Sequence, residues 1–301
     1  MRIGIDMGGS HIGIGLINSE TGTIIAKEEQ DILAEKENNE QKLVDIIISM
    51  ITKILEKKKI DIKKISLIGI AVPGMVSKTH IIKAKNLHIN NFNIVAEINK
   101  YFNIPIILRN DAKCAAIAEK EHGGLKKYDD ALFLSLGTGI GGAVYLGGKL
   151  IRPKKYEGLE IGHMVIKEHG ISCNCGRKGC FEKYASIRAL KEKVAKEYGL
   201  KDYTGKEITE LLEKEKDTEK ANKILDEYVE NLTIGLANLI NIFEPEVISI
   251  GGSFVYYKDL ILDKLNNKLK QNGVLFNGGD VPKIIMAKLK NNAGIIGATI
   301  E

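Results

Sequence analysis

Ile5-Asp6-Met7-Gly8-Gly9-Ser10, near the start of the chain, and Leu134-Ser135-Leu136-Gly137-Thr138-Gly139, near its middle, can be aligned. In each, an apolar strand meets a glycine turn with a hydroxyl residue, and another apolar, glycine-containing strand follows. Strands are expected over Ile3–Met7, Ile12–Ile17 and Thr23–Ala26, with Asn18-Ser19-Glu20-Thr21-Gly22 as a turn, and over Ala131–Leu136 and Gly142–Leu146 as a hairpin. Two similar halves predict a duplicated α/β fold with a cleft between its domains.

The intervening segments fill the layers. Leu43, Ile47, Met50, Ile51 and Ile54 form a helical stripe. Lys64–Ala71 reads as a strand that Val72-Pro73-Gly74 stops, Asn93–Phe102 as a helix and Pro105–Leu108 as a short buried strand. A helix opens at Asp111, which stands where an N-cap acceptor belongs, and Gly123-Gly124 ends it after Glu121. Further on the chain reads as mainly helical. Thr204 to Glu207 has capping-box spacing, and a long helix is expected to about Phe243. Strands Glu246–Ile250 and Lys283–Met286 and a last helix over Ala293–Ile300 complete the pattern.

The 301 residues allow one large domain or two of ordinary size. The net charge of +5 is modest, and the lysines are scattered among glutamates as on a solvated face, which argues against nucleic acid as a partner. No apolar run of about 18 residues is present, so no membrane span is expected. Met1-Arg2 runs directly into a strand, leaving no room for a secretory signal, and the expected compartment is the reducing cytoplasm.

Three of the four cysteines fall in Cys173-Asn174-Cys175-Gly176-Arg177-Lys178-Gly179-Cys180, downstream of Glu160-Ile161-Gly162-His163. Three soft thiolates and one imidazole make a complete tetrahedral zinc set, with His163, Cys173, Cys175 and Cys180 as ligands. A site filled by protein groups has no position for water, so the metal reads as structural. Free thiols or a disulfide are the alternative, although Cys173 and Cys175 are too close for an easy bridge. Cys114, in an Ala-rich helix, reads as a small buried residue.

Each glycine loop can bring backbone N–H groups close to an anion, and Ser10 and Thr138 add hydroxyls. Facing each other, the loops could hold the phosphates of one nucleotide; taken singly, each could be a plain hairpin turn. Neither matches a P-loop or a Rossmann fingerprint. Asp6, at a strand end beside the first loop, suits magnesium through water, or a turn. Gly251-Gly252-Ser253 follows a strand end where ligands gather, or forms an ordinary strand-to-helix turn. Asp111 is placed to accept a proton from a substrate hydroxyl while Asn110 donates to a neighbouring one, or else to serve only as a cap. The helix N-terminus favours the ionised carboxylate. Glu160 and Glu182 flank the cysteine loop.

Taken together, Asp6-Met7-Gly8-Gly9-Ser10, Pro73-Gly74, Asn86-Leu87, Asn110-Asp111-Ala112, Leu136 to Gly142, Glu160 to His163, Cys173 to Glu182 and Gly251-Gly252 resemble, in order and over nearly the whole chain, the ROK family of repressors and sugar kinases. The resemblance implies an α/β, two-domain actin-like ATPase (ribonuclease H-like) fold with an interdomain cleft and a structural zinc loop. The small domain would comprise 1–112 plus 292–301, and the large one 113–291 with the zinc loop at 163–182. It implies an ATP- and Mg2+-dependent kinase acting on the 6-hydroxyl of a hexose. Glucose is the default; N-acetylmannosamine, N-acetylglucosamine, fructose and allose are the alternatives.

On that resemblance Asp111 is the catalytic base. The sugar is held by Gly74, Asn86, Asn110, Asp111, Glu160, His163 and Glu182. The nucleotide is held by Asp6, Gly8, Gly9, Ser10, His11, Gly137, Thr138, Gly139 and Gly252. His163 would use one ring nitrogen for zinc and the other for a sugar hydroxyl. Family members are usually dimers or tetramers. Repressors of the family carry a helix-turn-helix domain before the first glycine loop, for which the position of Asp6 leaves no space. A catalytically dead sugar binder is the third reading, set against the intact Asp111 and both loops. The chain departs from the family at Ser10-His11, where Thr-Lys is frequent, and at His88-Ile89-Asn90-Asn91, where glucose-preferring members often have Trp.

Overall fold

The computed structural model describes all residues except 10, 33–38, 154–158, 272, 277 and 279. Ser10 of the first glycine loop therefore lies outside the described residues. The chain forms two compact units, one taking in Met1–Lys127 and Lys288–Glu301, the other Tyr128–Ile151 and Glu160–Ala287.

The first unit opens with β1 (Arg2–Met7), β2 (His11–Ile17) and β3 (Ile24–Asp31), then α1 (Asn39–Lys58) and β4 (Leu67–Val72). The short strands β5 (Met75–Val76), β6 (Ile81–Ala84) and β7 (Ile89–Phe92) form a small sheet of their own. α2 (Ile94–Asn99), β8 (Ile106–Asn110) and α3 (Asp111–His122) follow. The main sheet runs β3-β2-β1-β4-β8, with β1 antiparallel to β2 and parallel to β4. β4 is buried at every position, as a parallel strand covered on both faces must be. The expected helical stripe of Leu43, Ile47, Met50, Ile51 and Ile54 is buried in this unit's core.

The second unit repeats the plan. β9 (Ala131–Leu136), β10 (Ile140–Leu146) and β11 (Lys149–Leu150) are followed by α4 (Glu182–Ala185), α5 (Ile187–Tyr198), α6 (Gly205–Glu215) and α7 (Glu219–Phe243). Then come β12 (Val247–Gly251), α8 (Lys258–Leu269) and β13 (Lys283–Met286). The sheet order is β11-β10-β9-β12-β13, again with two antiparallel pairs followed by two parallel ones. The aligned motifs at Ile5 and Leu134 thus lie on equivalent strands, β1 and β9. The capping box at Thr204 and Glu207 is present in full. No described helix is long and apolar enough to cross a membrane.

Among the differences from expectation, three bear on how the fold is built. β3 extends to Asp31 because it pairs with β2 along its length, although its sequence is charged. Asn110, not Asp111, caps α3: its side chain accepts from the Lys113 amide at 3.3 Å, and Asp111 is the first helical residue. The first unit continues past residue 112 because α9 (Ala293–Ala298) packs along α3 as well as on β1 and β4. Arg2 and Arg109 donate to the carbonyls of Thr299 and Ile300 just beyond α9.

That packing depends on bare backbone. A Cβ on Gly69 of β4 would overlap the Ala298 carbonyl, and one on Gly297 would overlap the carbonyl of Cys114 in α3. Gly69→Ala and Gly297→Ala are each expected to destabilise the chain by about 1–3 kcal/mol, the usual cost of overpacking a dense core. Unchanged denaturant midpoints would show that α9 does not need this close approach.

Candidate functional site

The first unit gathers the first glycine turn, Asn86, Gly74, Asn110 and Asp111. The turn is closed by the Gly8 amide donating to the His11 carbonyl at 2.8 Å. A Cβ on Gly9 would come 3.2 Å from that of Asn86, and the His11 ring lies against Gly8. Asn110 binds at both ends: its oxygen caps α3 and its amide donates to the Gly74 carbonyl at 3.1 Å. This ties the end of β8 to the turn after β4. Asp111 Oδ1 accepts from the Ala112 amide at 2.8 Å, which fixes the direction of the carboxylate. Burial raises the Asp6 carboxyl from 3.8 to about 6, against the pull of Lys27. A partly desolvated carboxylate beside a glycine turn fits a hydrated divalent cation.

The second unit gathers the cysteine loop, the second glycine turn and Gly252. Ile161 sits in the core, and Gly162 backs onto the Ile140 carbonyl of β10 so closely that a Cβ would collide with it. These two residues anchor the turn and hold His163 toward the thiols. The loop is a small hairpin: the Cys173 amide donates to Arg177 at 2.8 Å, and Val165 bridges Cys180. One ligand atom each from His163, Cys173, Cys175 and Cys180 lies within 4.8 Å of every other. His163 Nδ1 is 3.6 Å from Cys173 Sγ, and the Cys175 and Cys180 sulfurs are 3.5 Å apart. A zinc ion with bonds of about 2.3 Å to sulfur spaces its ligands by roughly 3.8 Å, so the set is consistent with tetrahedral zinc.

The crowded thiols also separate in acidity. Burial pushes Cys180 up to about 12, while Cys175, despite its own burial cost, is held at about 6 by the Arg177 amide and the neighbouring sulfur atoms. Arg177 additionally donates to the His163 carbonyl at 2.6 Å, latching the loop to the turn. Sequence reading passed over this role, although Arg177 stands inside the motif. Gly294, against which the Asp6 carboxylate packs, had no local signal at all.

Glu182 opens α4 with one oxygen 3.2 Å from Cys173 Sγ and 3.7 Å from His163 Nδ1. Its other oxygen faces Gly139. Glu160 is exposed just before the His163 turn, and Thr138 is exposed at the tip of its own. Gly252 has φ +71, and a Cβ there would strike the Leu136 carbonyl at 2.6 Å. Ser253 Oγ lies 3.7 Å from a Cβ position on Gly137. The structure therefore brings the predicted residues of this unit to the ends of β9 and β12 and to the cysteine loop.

Comparison with known proteins gives this arrangement its relatives. The family model "ROK family" matches residues 2–300. A xylose repressor of Caldicellulosiruptor bescii is 31% identical, over 98% of this chain and 76% of the repressor. A glucokinase of Thermotoga maritima is 30% identical, over 98% of this chain and 95% of the enzyme. Among solved structures, a ROK glucokinase of Streptomyces griseus in complex with glucose and AMPPNP superposes with a TM-score of 0.84 at 25% identity, covering 99% of this chain and 97% of that one. With its whole length matched, the repeated sheets and the cysteine loop in place, the chain belongs to the ROK family and has its actin-like ATPase fold.

Proposed function

We propose that this protein is an ATP-dependent hexose kinase acting on the 6-hydroxyl, with glucose as the first candidate sugar. The observation that carries the reading is the Asn110-Asp111 turn: a carboxylate held at the start of α3 by the Ala112 amide, beside an asparagine braced on Gly74. Asp111 accepts the proton of the attacking hydroxyl, so the oxygen becomes a better nucleophile as it leaves its hydrogen behind. Asn86, Asn110, Glu160 and Glu182 bind the remaining hydroxyls, with Gly74 giving them room. His163 presents Nδ1 to the thiols and Nε2 to the sugar, a division that sets its tautomer.

ATP supplies the phosphoryl group and Mg2+ offsets its charge. The two glycine turns hold the phosphates: the Gly8 and Gly137 amides close the turns, and the amides of Gly9, Thr138 and Gly139 donate to phosphate oxygens, while Asp6 holds the hydrated cation, His11 a phosphate oxygen, and Gly252 lets the adenosine approach. Glucokinase relatives support this reading. The xylose repressor supports a second one, a sugar-responsive regulator of the same fold.

A coupled ADP-release assay against glucose, fructose, allose, N-acetylglucosamine and N-acetylmannosamine separates the two. ADP release with one of them is expected, and Asp111→Asn should lower that turnover at least ~10²-fold while ATP still binds. Sugar binding without ADP release would favour the regulator.

We further propose that zinc fills the four-ligand cluster. Cys175→Ala is expected to lower zinc content and hexose affinity together, because the loop aims both His163 and Glu182. Full hexose affinity in zinc-free protein would detach the metal from sugar binding.

Asp6 gives a pH signature in metal-free protein. Its carboxyl is raised from 3.8 to about 6 in the fold, so it favours the folded state below pH 4, and that contribution is lost as pH rises through 6. Asp6→Asn should therefore be up to about 3 kcal/mol more stable than the parent at pH 7, with the gap closing toward pH 4. Urea titrations at both pH values read this, and a gap independent of pH would contradict it.

A further inference from the structure

We infer that Gly139, on the face of it part of a phosphate-binding turn, is a positioning residue for the sugar, because it leaves the space that the Glu182 carboxylate occupies. This rests on the kinase reading above. The backbone of Gly139 does not lie in the left-handed region, so φ does not explain a glycine here. Space does. A Cβ on Gly139 would meet Glu182 Oε2 at 2.7 Å and its carboxyl carbon at 3.8 Å, and no other described atom within 4 Å apart from its chain neighbours.

The other carboxylate oxygen is already confined. Oε1 sits 3.2 Å from Cys173 Sγ and 3.7 Å from His163 Nδ1. The Glu182 side chain thus spans from the metal ligands to the second glycine turn, wedged at both ends. The turn itself is held: the Gly137 amide donates to the Gly139 carbonyl at 3.0 Å, and the Arg188 amide to the Gly137 carbonyl at 3.1 Å. A methyl group at 139 therefore moves the carboxylate, not the turn. Because the atom displaced is the free end of a flexible side chain, the fold tolerates the change while the carboxylate loses its aim. One glycine then serves both substrates, its amide on the nucleotide side and its missing side chain on the sugar side.

The test is hexose binding measured calorimetrically without nucleotide, using whichever sugar the parent protein phosphorylates. Gly139→Ala is expected to weaken hexose binding roughly tenfold or more, the scale of losing a charged hydrogen bond, with zinc content unchanged. Glu182→Asp withdraws the carboxylate by one methylene. Alone it should weaken the hexose, yet combined with Gly139→Ala it should bind hexose more tightly than Gly139→Ala by itself. Unaltered hexose affinity in Gly139→Ala with a raised KM for ATP would overturn the inference and leave the kinase reading intact. Additive losses in the double variant would overturn it as well. A parent protein that binds no hexose would sink the kinase reading, and this inference with it.

Discussion

Four donor atoms crowded into one small space set the terms for the second unit. His163 and the three thiols of Cys173, Cys175 and Cys180 all approach within 4.8 Å of each other. Without a cation they are poor company: burial drives Cys180 toward its neutral form while Cys175 is pulled toward its anion. A soft divalent cation would satisfy all four at once, and its binding free energy would become folding free energy for the loop. Arg177 reinforces the same closure from its backbone and its side chain. What is stapled is therefore more than a metal site, since His163 and Glu182 take their directions from it.

In the first unit hydrogen bonds fix the Asn110-Asp111 pair. Asn110 and Asp111 occupy the junction of β8 and α3, and backbone hydrogen bonds to Gly74 and Ala112 fix them there. Behind this junction α9 presses its own backbone onto β4 and α3 at Gly69 and Gly297, with the small side chains of Ala71, Cys114 and Ala298 packed beside them. Just beyond α9, buried Arg109 donates to the Ile300 carbonyl and Arg2 to the Thr299 carbonyl. Asn110 and Asp111 thus stand at a strand–helix junction set by neighbouring backbone, whereas His163 and the thiols stand on a turn and a loop that the Arg177 side chain latches together.

Much of this was legible from residue order. The repeated strand–glycine turn, the helical stripe of α1, the capping box and the metal ligands all depend on spacing along a few neighbouring residues. The misreadings have one character. Asp111 looked like a cap because it is a good one in isolation, but Asn110 took the role when its amide found Gly74. β3 looked short because its later residues are charged, and pairing with β2 overrode that composition. The resemblance put the small domain's edge at residue 112, and the first compact unit runs on to Lys127, with α3 packed on α9.

By itself, then, the chain's order specified the donor set, the two turns and the plan of two matching halves, because local periodicity and ligand spacing need no knowledge of distant contacts. Tertiary structure alone decided that Glu182 reaches Gly139 and that Gly294 backs Asp6. Such contacts join residues far apart in the chain, and only the close packing of specific backbones determines which of them meet.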